Sequence, residues 1–288
     1  MSASAHTPAP AVTSLLVWVG RNALAAVAYL GGLGVVLLVA IHTLTKTPEG
    51  FAGWRRALSD EMSWILGMGL PLVALVHVGI GSFLAMQAYF GGTFVDGTGA
   101  VVGVGLIRNV APQMACLTLA GFMAARIVPE LRSRARLGPG ADPVWAVSRD
   151  VPTERLVAFR LLASALGGIV LSLWGSAVGT VVGWQVGQSM MGVTSHSFFL
   201  MFWEMLWWRD VVGLVVKGVG FGLAAGLFAC HEGLRDPHGE WPEAVPTATC
   251  RAACLAALTI LVINSAWFLL AYHAGPMFGP TLMEPPTM

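Results

Sequence analysis

The 288 residues are 56% hydrophobic and only 11% charged, with 16 basic against 15 acidic side chains and a mean hydropathy of +0.73. An ordinary soluble domain carries about 25% charged residues. A soluble helical protein with a large core is therefore excluded as the plan of this chain, which reads as an all-α integral membrane protein.

In chain order, residues 1–14 read as a disordered N-terminus. The first twenty residues hold no Lys or Arg, so the basic n-region of a cleaved secretory signal is missing. Residues 15–45 are apolar but carry Arg21 and Asn22 early, and Gly31, Gly32 and Gly34 are expected to break the middle. This segment reads as a sixth span or as an interfacial helix folded back as an elbow in one leaflet. Charge bookkeeping along the chain favours the elbow.

Five spans follow, at about 62–92, 99–127, 157–187, 210–231 and 250–273, before a Pro-rich tail at 274–288. Residues 62–95 hold no charge, nor do 161–203 or 252–283, whereas about 20 apolar residues suffice to cross a bilayer. The second and fourth spans are each interrupted once, by Arg108 and Lys217. Between the second and third spans, residues 126–160 carry seven arginines and four acids, while the other 253 residues hold only 20 charges. A net +3 loop between apolar spans belongs in the cytosol. Counting outward from it places residues 46–61 inside, 204–210 outside, 231–251 inside and the C-terminus outside. The 231–251 segment nets −2 and gives that placement no support of its own.

Chemistry is sparse along this framework. No Walker motif, dinucleotide fingerprint, zinc-protease helix or Ser-His-Asp set is present, so no catalytic residue and no metal site is assigned. Cys116, Cys230, Cys250 and Cys254 fall in or at the ends of apolar segments and read as buried free thiols. Glycines repeat along one face of the third span (Gly167, Gly168, Gly175, Gly179, Gly183 and Gly187) and crowd the fourth (Gly218, Gly220, Gly222 and Gly226). Small residues at this spacing let helices approach closely, either within one chain or along a dimer seam. An arginine inside a span needs a partner, water or an anionic ligand. Arg108, followed by Asn109 and Pro112, therefore either snorkels to an interface or faces a cavity, where it meets a headgroup or steadies a kinked backbone. Lys217, seven residues after Asp210, is open to the same two readings. Phe83, Met86, Tyr89, Phe90 and Phe94 form a bulky apolar surface toward the outer side. It is either an aromatic belt or the wall of a cavity that accepts acyl chains.

Several short motifs, in order, resemble the MlaE/YrbE family, the permease subunits of ABC transporters that move lipids with MCE proteins. The resemblance covers roughly residues 15–273. Residues 108–112, Arg-Asn-Val-Ala-Pro, are similar to that family's Arg-Glu-Leu-Gly-Pro. Ala120-Gly121 and Pro129-Glu130-Leu131 resemble the Ala-Gly and Ala-Glu-Leu-Gly elements that follow it. Residues 156–160, Leu-Val-Ala-Phe-Arg, fall where the family has Leu-Val-x-Pro-Arg. Lys217 with Phe221-Gly222, then Cys230 to Arg235, and Thr249-Cys250-Arg251 resemble later elements. The chain departs from the pattern at Asn109 and Asn264, where acids are usual. It departs again in 132–149, where Pro139, Gly140 and Pro143 suit a docking helix badly.

The resemblance implies a five-span permease with an N-terminal interfacial helix, paired with an identical or paralogous chain around a lipid-sized cavity. Phe83, Met86, Tyr89, Phe90, Phe94, Arg108 and Asn109 would line that cavity. A cytosolic ABC ATPase would bind ATP and Mg²⁺ and couple through Glu130, Arg134, Trp145, Val147, Glu154 and Arg155. MCE-domain subunits would continue the conduit, and the chain itself would bind no cofactor and no nucleic acid. The setting would be a bacterial inner membrane. The competing reading is a non-transporting scaffold that pairs with an active permease.

Overall fold

The computed structural model describes residues 11–46, 51–90, 98–137, 152–235 and 244–273. They form a helical bundle of α1 (Ala11–Lys46), α2 (Phe51–Phe90), α3 (Ala111–Leu137), α4 (Thr153–Met191), α5 (Ser195–Met205), α6 (Trp208–Leu234) and α7 (Ala244–Phe268). Backbone of wider, π-helical pitch leads into α3 at Gly99–Val104 and Leu106–Val110, and a last π-helical turn, Leu269–His273, follows α7. Six of these helices are long and apolar enough to cross a membrane.

The helices outrun the expected spans because the apolar stripe does. Trp54, Leu58 and Met62 repeat at helical spacing through the charged 46–61 stretch, with Leu58 and Met62 packed on the main core and Trp54 edge-on to Phe159. That stretch is therefore largely the start of α2 and not a loop. α1 corrects a second expectation. It runs unbroken through Gly31, Gly32 and Gly34, because in apolar surroundings a backbone gains most by satisfying its own N–H and C=O groups. Gly32 also has a packing reason: a β-carbon there would strike the His231 ring. Tyr29 meets the same ring edge-on at 4.6 Å, so α1 crosses α6 near its last turns.

α4 is the hub, touching α1, α2, α3, α5 and α6. It ends where Gly192 adopts a left-handed conformation (φ 66°), the usual glycine stop. Thr194 then caps α5, its hydroxyl accepting from the Ser197 N–H at 3.2 Å. The glycine face of α4 is spent inside the chain. Gly167 receives Ile65, Gly175 receives His77 and Gly183 receives Val102.

The α4–α6 crossing brings backbone onto backbone. A β-carbon at Gly168 would collide with the Gly218 carbonyl oxygen and lie 3.1 Å from Gly222 Cα, and one at Gly222 would collide with the Ser164 carbonyl. Gly168→Ala should lower stability by about 1–3 kcal/mol, the usual cost of overpacking, read as the unfolding midpoint in detergent. Gly67→Ala, with nothing within 4 Å of the added carbon, should not. Equal midpoints for the two variants would mean the crossing is looser than this.

Candidate functional site

Among the described residues, charged side chains gather inside this apolar bundle at both of its ends. At the end of the α5–α6 turn, Arg108 grips Asp210 with two parallel bonds, Nε to Oδ1 and Nη2 to Oδ2, both 2.9 Å. The bidentate geometry is the strong form of this pair. The Asp210 side chain is fully buried and that of Arg108 is 26% exposed. Asp210 also stands in the first turn of α6, where its Oδ2 accepts from the Trp207 backbone N–H at 3.1 Å. An acid at a helix N-terminus is favoured by the exposed N–H groups there.

Lys217, 1% exposed, donates from Nζ to the Arg108 carbonyl. Pro112, which has no N–H, removes the α-helical donor for that carbonyl, and the backbone there takes π-helical form at Leu106–Val110. Lys217 does not snorkel; it brings the carbonyl a donor from α6. Beside it, Asn264 Nδ2 of α7 donates to Asn109 Oδ1 at 2.6 Å and Gln113 Oε1 at 3.1 Å. The two positions that depart from the resembled pattern, Asn109 and Asn264, are thus partners.

At the opposite end, Arg160 of α4 is wholly buried and donates to Glu130 of α3 and, at 3.4 Å, to Glu61 of α2. Arg126 completes the cluster, bonded to Glu61 at 3.2 Å with its guanidinium 4.1 Å from the Trp64 ring centroid. A neighbouring cluster joins α3, α6 and α7. Arg251 is bidentate on Glu232 at 2.8 and 2.5 Å, while Arg132 donates to the backbone carbonyls of Glu232 and Ala244. These contacts bring residues 61, 126–132, 160, 232 and 251 to one end of the bundle. The charge count put the same segments on one side of the membrane.

The sequence-predicted residues fall into three groups. Arg108 and Asn109 belong to the polar cluster at the α5–α6 end. Phe83, Met86, Tyr89 and Phe90 are 58%, 39%, 44% and 73% exposed along the outer part of α2, with Tyr89 and Phe90 edge-to-face at 5.2 Å. In a single chain they form an open surface and not an enclosed cavity. Of the coupling residues, Glu130 and Arg134 are buried and Glu154 is exposed. Arg155 is half-buried with its guanidinium 5.6 Å from the Phe159 ring centroid. Glu130 can influence a partner only through the helices it ties together. Phe94, Trp145 and Val147 lie outside the described residues. Of the cysteines, Cys116 and Cys230 are buried, but Cys250 and Cys254 are exposed on α7 with sulfurs 4.0 Å apart, which corrects the expectation of four buried thiols.

Sequence reasoning missed Asp210, Glu61 and Arg160. In the sequence Asp210 reads only as a residue at a membrane edge. Arg108 needed a counter-charge, and between residues 161 and 231 the acids are only Glu204 and Asp210, so the signal was present.

A family model described as Permease MlaE matches residues 58–270. A probable ABC transporter permease protein of Rickettsia typhi is 27% identical over 249 residues, covering 85% of this chain and 93% of that protein. The intermembrane phospholipid transport system permease protein MlaE of Haemophilus influenzae is 26% identical over 219 residues, covering 73% of this chain and 81% of that protein. A probable ABC transporter permease protein of Synechocystis is 24% identical over 223 residues, covering 75% and 82% respectively.

Proposed function

The chain belongs to the MlaE permease family, and from that membership we propose that it is the membrane-spanning permease subunit of an ATP-driven lipid transporter working with MCE proteins in a bacterial inner membrane. The cargo class is an amphiphile: a phospholipid, a fatty acid or a sterol-like molecule. The observation that carries this reading is the outer part of α2, where Phe83, Met86, Tyr89 and Phe90 are all left exposed. A contiguous apolar surface of this kind calls for lipid or another chain over it. A second permease chain, identical or paralogous, would turn it into a cavity wall, bordered by Arg108, which is 26% exposed while paired with Asp210, and by Asn109. The charges inside the bundle engage one another, Arg108 with Asp210 and Arg160 with Glu61 and Glu130. That suits an amphiphile path better than the chain of ionisable groups a proton or ion relay needs.

ATP and Mg²⁺ would be bound by a separate cytosolic ATPase. It would dock at the Arg-rich end, near Glu154 and Arg155, with Trp145 and Val147 as its anchors. Replacing Trp145 and Val147 together with glutamate should strip that ATPase from the purified complex. A photo-crosslinker at Tyr89 or Phe90 should capture lipid in the assembled complex during ATP hydrolysis. Capture of protein alone, in a complex that still assembles and hydrolyses ATP, would make this chain a scaffold for an active permease.

A further inference from the structure

A cavity of about 310 Å³ opens between α4 and α6 at the α5–α6 end, lined by Ile107, Ser176, Thr180, Phe202, Val211 and Leu214 among others. None of the α2 residues proposed to meet cargo takes part in it. Its rim is set by Leu173 and Val181 on α4, each 51% exposed, so it is a slot reached sideways and not an enclosed void. The lining is aliphatic and aromatic apart from two hydroxyls, and those two behave differently.

Ser172, Ser176 and Thr180 repeat every four residues down one face of α4. Ser172 donates to the Gly168 carbonyl at 2.6 Å and Ser176 to the Ser172 carbonyl at 2.8 Å, the ordinary back-bond of a hydroxyl in a helix. Thr180 Oγ1 has no hydrogen-bond partner, although the residue is only 8% exposed. A buried hydroxyl without a partner has lost its water and gained nothing in exchange. Thr180 lines the slot, so a group in the slot is what would relieve it.

We propose that this slot holds one acyl chain of a bilayer phospholipid, with an ester carbonyl accepting from Thr180 Oγ1. Size sets the first limit. The volume lies at the small end of ligand pockets, which run about 300–1,000 Å³, so a stretch of one chain fits and a headgroup with two chains does not. Depth sets the second. Trp203, Trp207 and Trp208 crowd the α5–α6 turn, and Trp203 and Trp208 are 44% and 57% exposed. Such tryptophans mark the membrane–water boundary. Val211 and Leu214 lie one to two helical turns further along α6, roughly 5–9 Å at 1.5 Å per residue. That is where the esters and first methylenes of a lipid lie. The open rim lets the second chain and headgroup stay in the bilayer.

The test uses the full chain in vesicles of phosphatidylethanolamine and phosphatidylglycerol, doped with a phosphatidylethanolamine bearing a diazirine on one acyl chain. Labelled residues are read by mass spectrometry. Label should concentrate on 173–181 and 211–214 over Leu258 and Val262 of α7, which are 58% and 60% exposed. Ala177→Trp, at an exposed position on the rim, should return labelling of the slot to the α7 level. Thr180→Val keeps the shape and removes the donor, and should lower labelling about fivefold, the worth of one net hydrogen bond. Both variants should elute and unfold as the parent does. Even labelling of slot and α7, or slot labelling unchanged in both variants, overturns the proposal. So does labelling by a diazirine fatty acid but not by the phospholipid, or a crosslink from Val181 to protein in place of lipid. None of these results bears on cargo capture at Tyr89.

Discussion

Arg160→Met should lower the stability of the purified protein by about 3–5 kcal/mol, the usual cost of stranding a buried charge by deleting its partner. Arg160 is fully buried between two carboxylates, Glu61 of α2 and Glu130 of α3. Methionine fills much of the same volume, so packing is largely kept and the electrostatic loss is isolated. The loss should be uneven. Glu61 keeps Arg126 at 3.2 Å, while α3 and α4 lose the Arg160–Glu130 bond that joins them. Glu130→Gln added to Arg160→Met should therefore restore much of the stability, and the double-mutant cycle should give a coupling of about 1–3 kcal/mol. The measurement is the unfolding midpoint in detergent for the four proteins. Additive losses would mean that Glu130 and Arg160 are independently solvated, and that the buried cluster does not tie α2, α3 and α4 together.

The parts of this molecule that could be read in the sequence are those set by local composition. Long uncharged runs gave the spans, and the arginines of 126–160 gave the end at which Glu61, Arg126, Arg160 and Glu232 meet. Glycine spacing announced close packing but not its partner. Gly168 could equally have faced another copy, and only the fold reveals that it meets Gly218 and Gly222 of its own chain. The charged pairs were hidden for a different reason. Arg108 and Asp210 are separated by 102 residues, and Arg160 and Glu61 by 99. A charge at the edge of a span looks like a solvated loop residue until the helix that covers it is known. Helix α5 is hard to see because residues 195–203 belong to the uncharged run 161–203, and only Gly192 and the Thr194 cap divide it from α4. The 46–61 segment misled in the opposite direction. Its charges suggested a loop, while the apolar residues that decide its helix, Trp54, Leu58 and Met62, are spaced between them.

Asp210→Ala should be far more damaging than Arg108→Ala, and the asymmetry follows from what each carboxylate or guanidinium holds. Removing Arg108 leaves Asp210 bonded to the Trp207 N–H at the start of α6, and leaves Lys217 able to reach the backbone carbonyl of residue 108. Stability should fall, because the buried Asp210 loses its bidentate partner, but the fold should survive on these remaining contacts, with a further loss in lipid transport since the charge beside the proposed cavity is gone. Removing Asp210 deletes the acid that neutralises Arg108 and the acceptor that caps α6. It leaves two cations, Arg108 and Lys217, inside an apolar bundle where such charges are costly. We expect a loss of about 3–5 kcal/mol for Asp210→Ala, with weak expression and poor recovery of the complex. In an Arg108→Ala background the same change should cost less, because one of the stranded cations is already absent, giving a coupling of about 1–3 kcal/mol. Unfolding midpoints of the four proteins and their transport rates separate the two roles. If Arg108→Ala destabilises as strongly as Asp210→Ala while transport per folded molecule is unchanged, the pair is a structural clamp and the headgroup is met elsewhere.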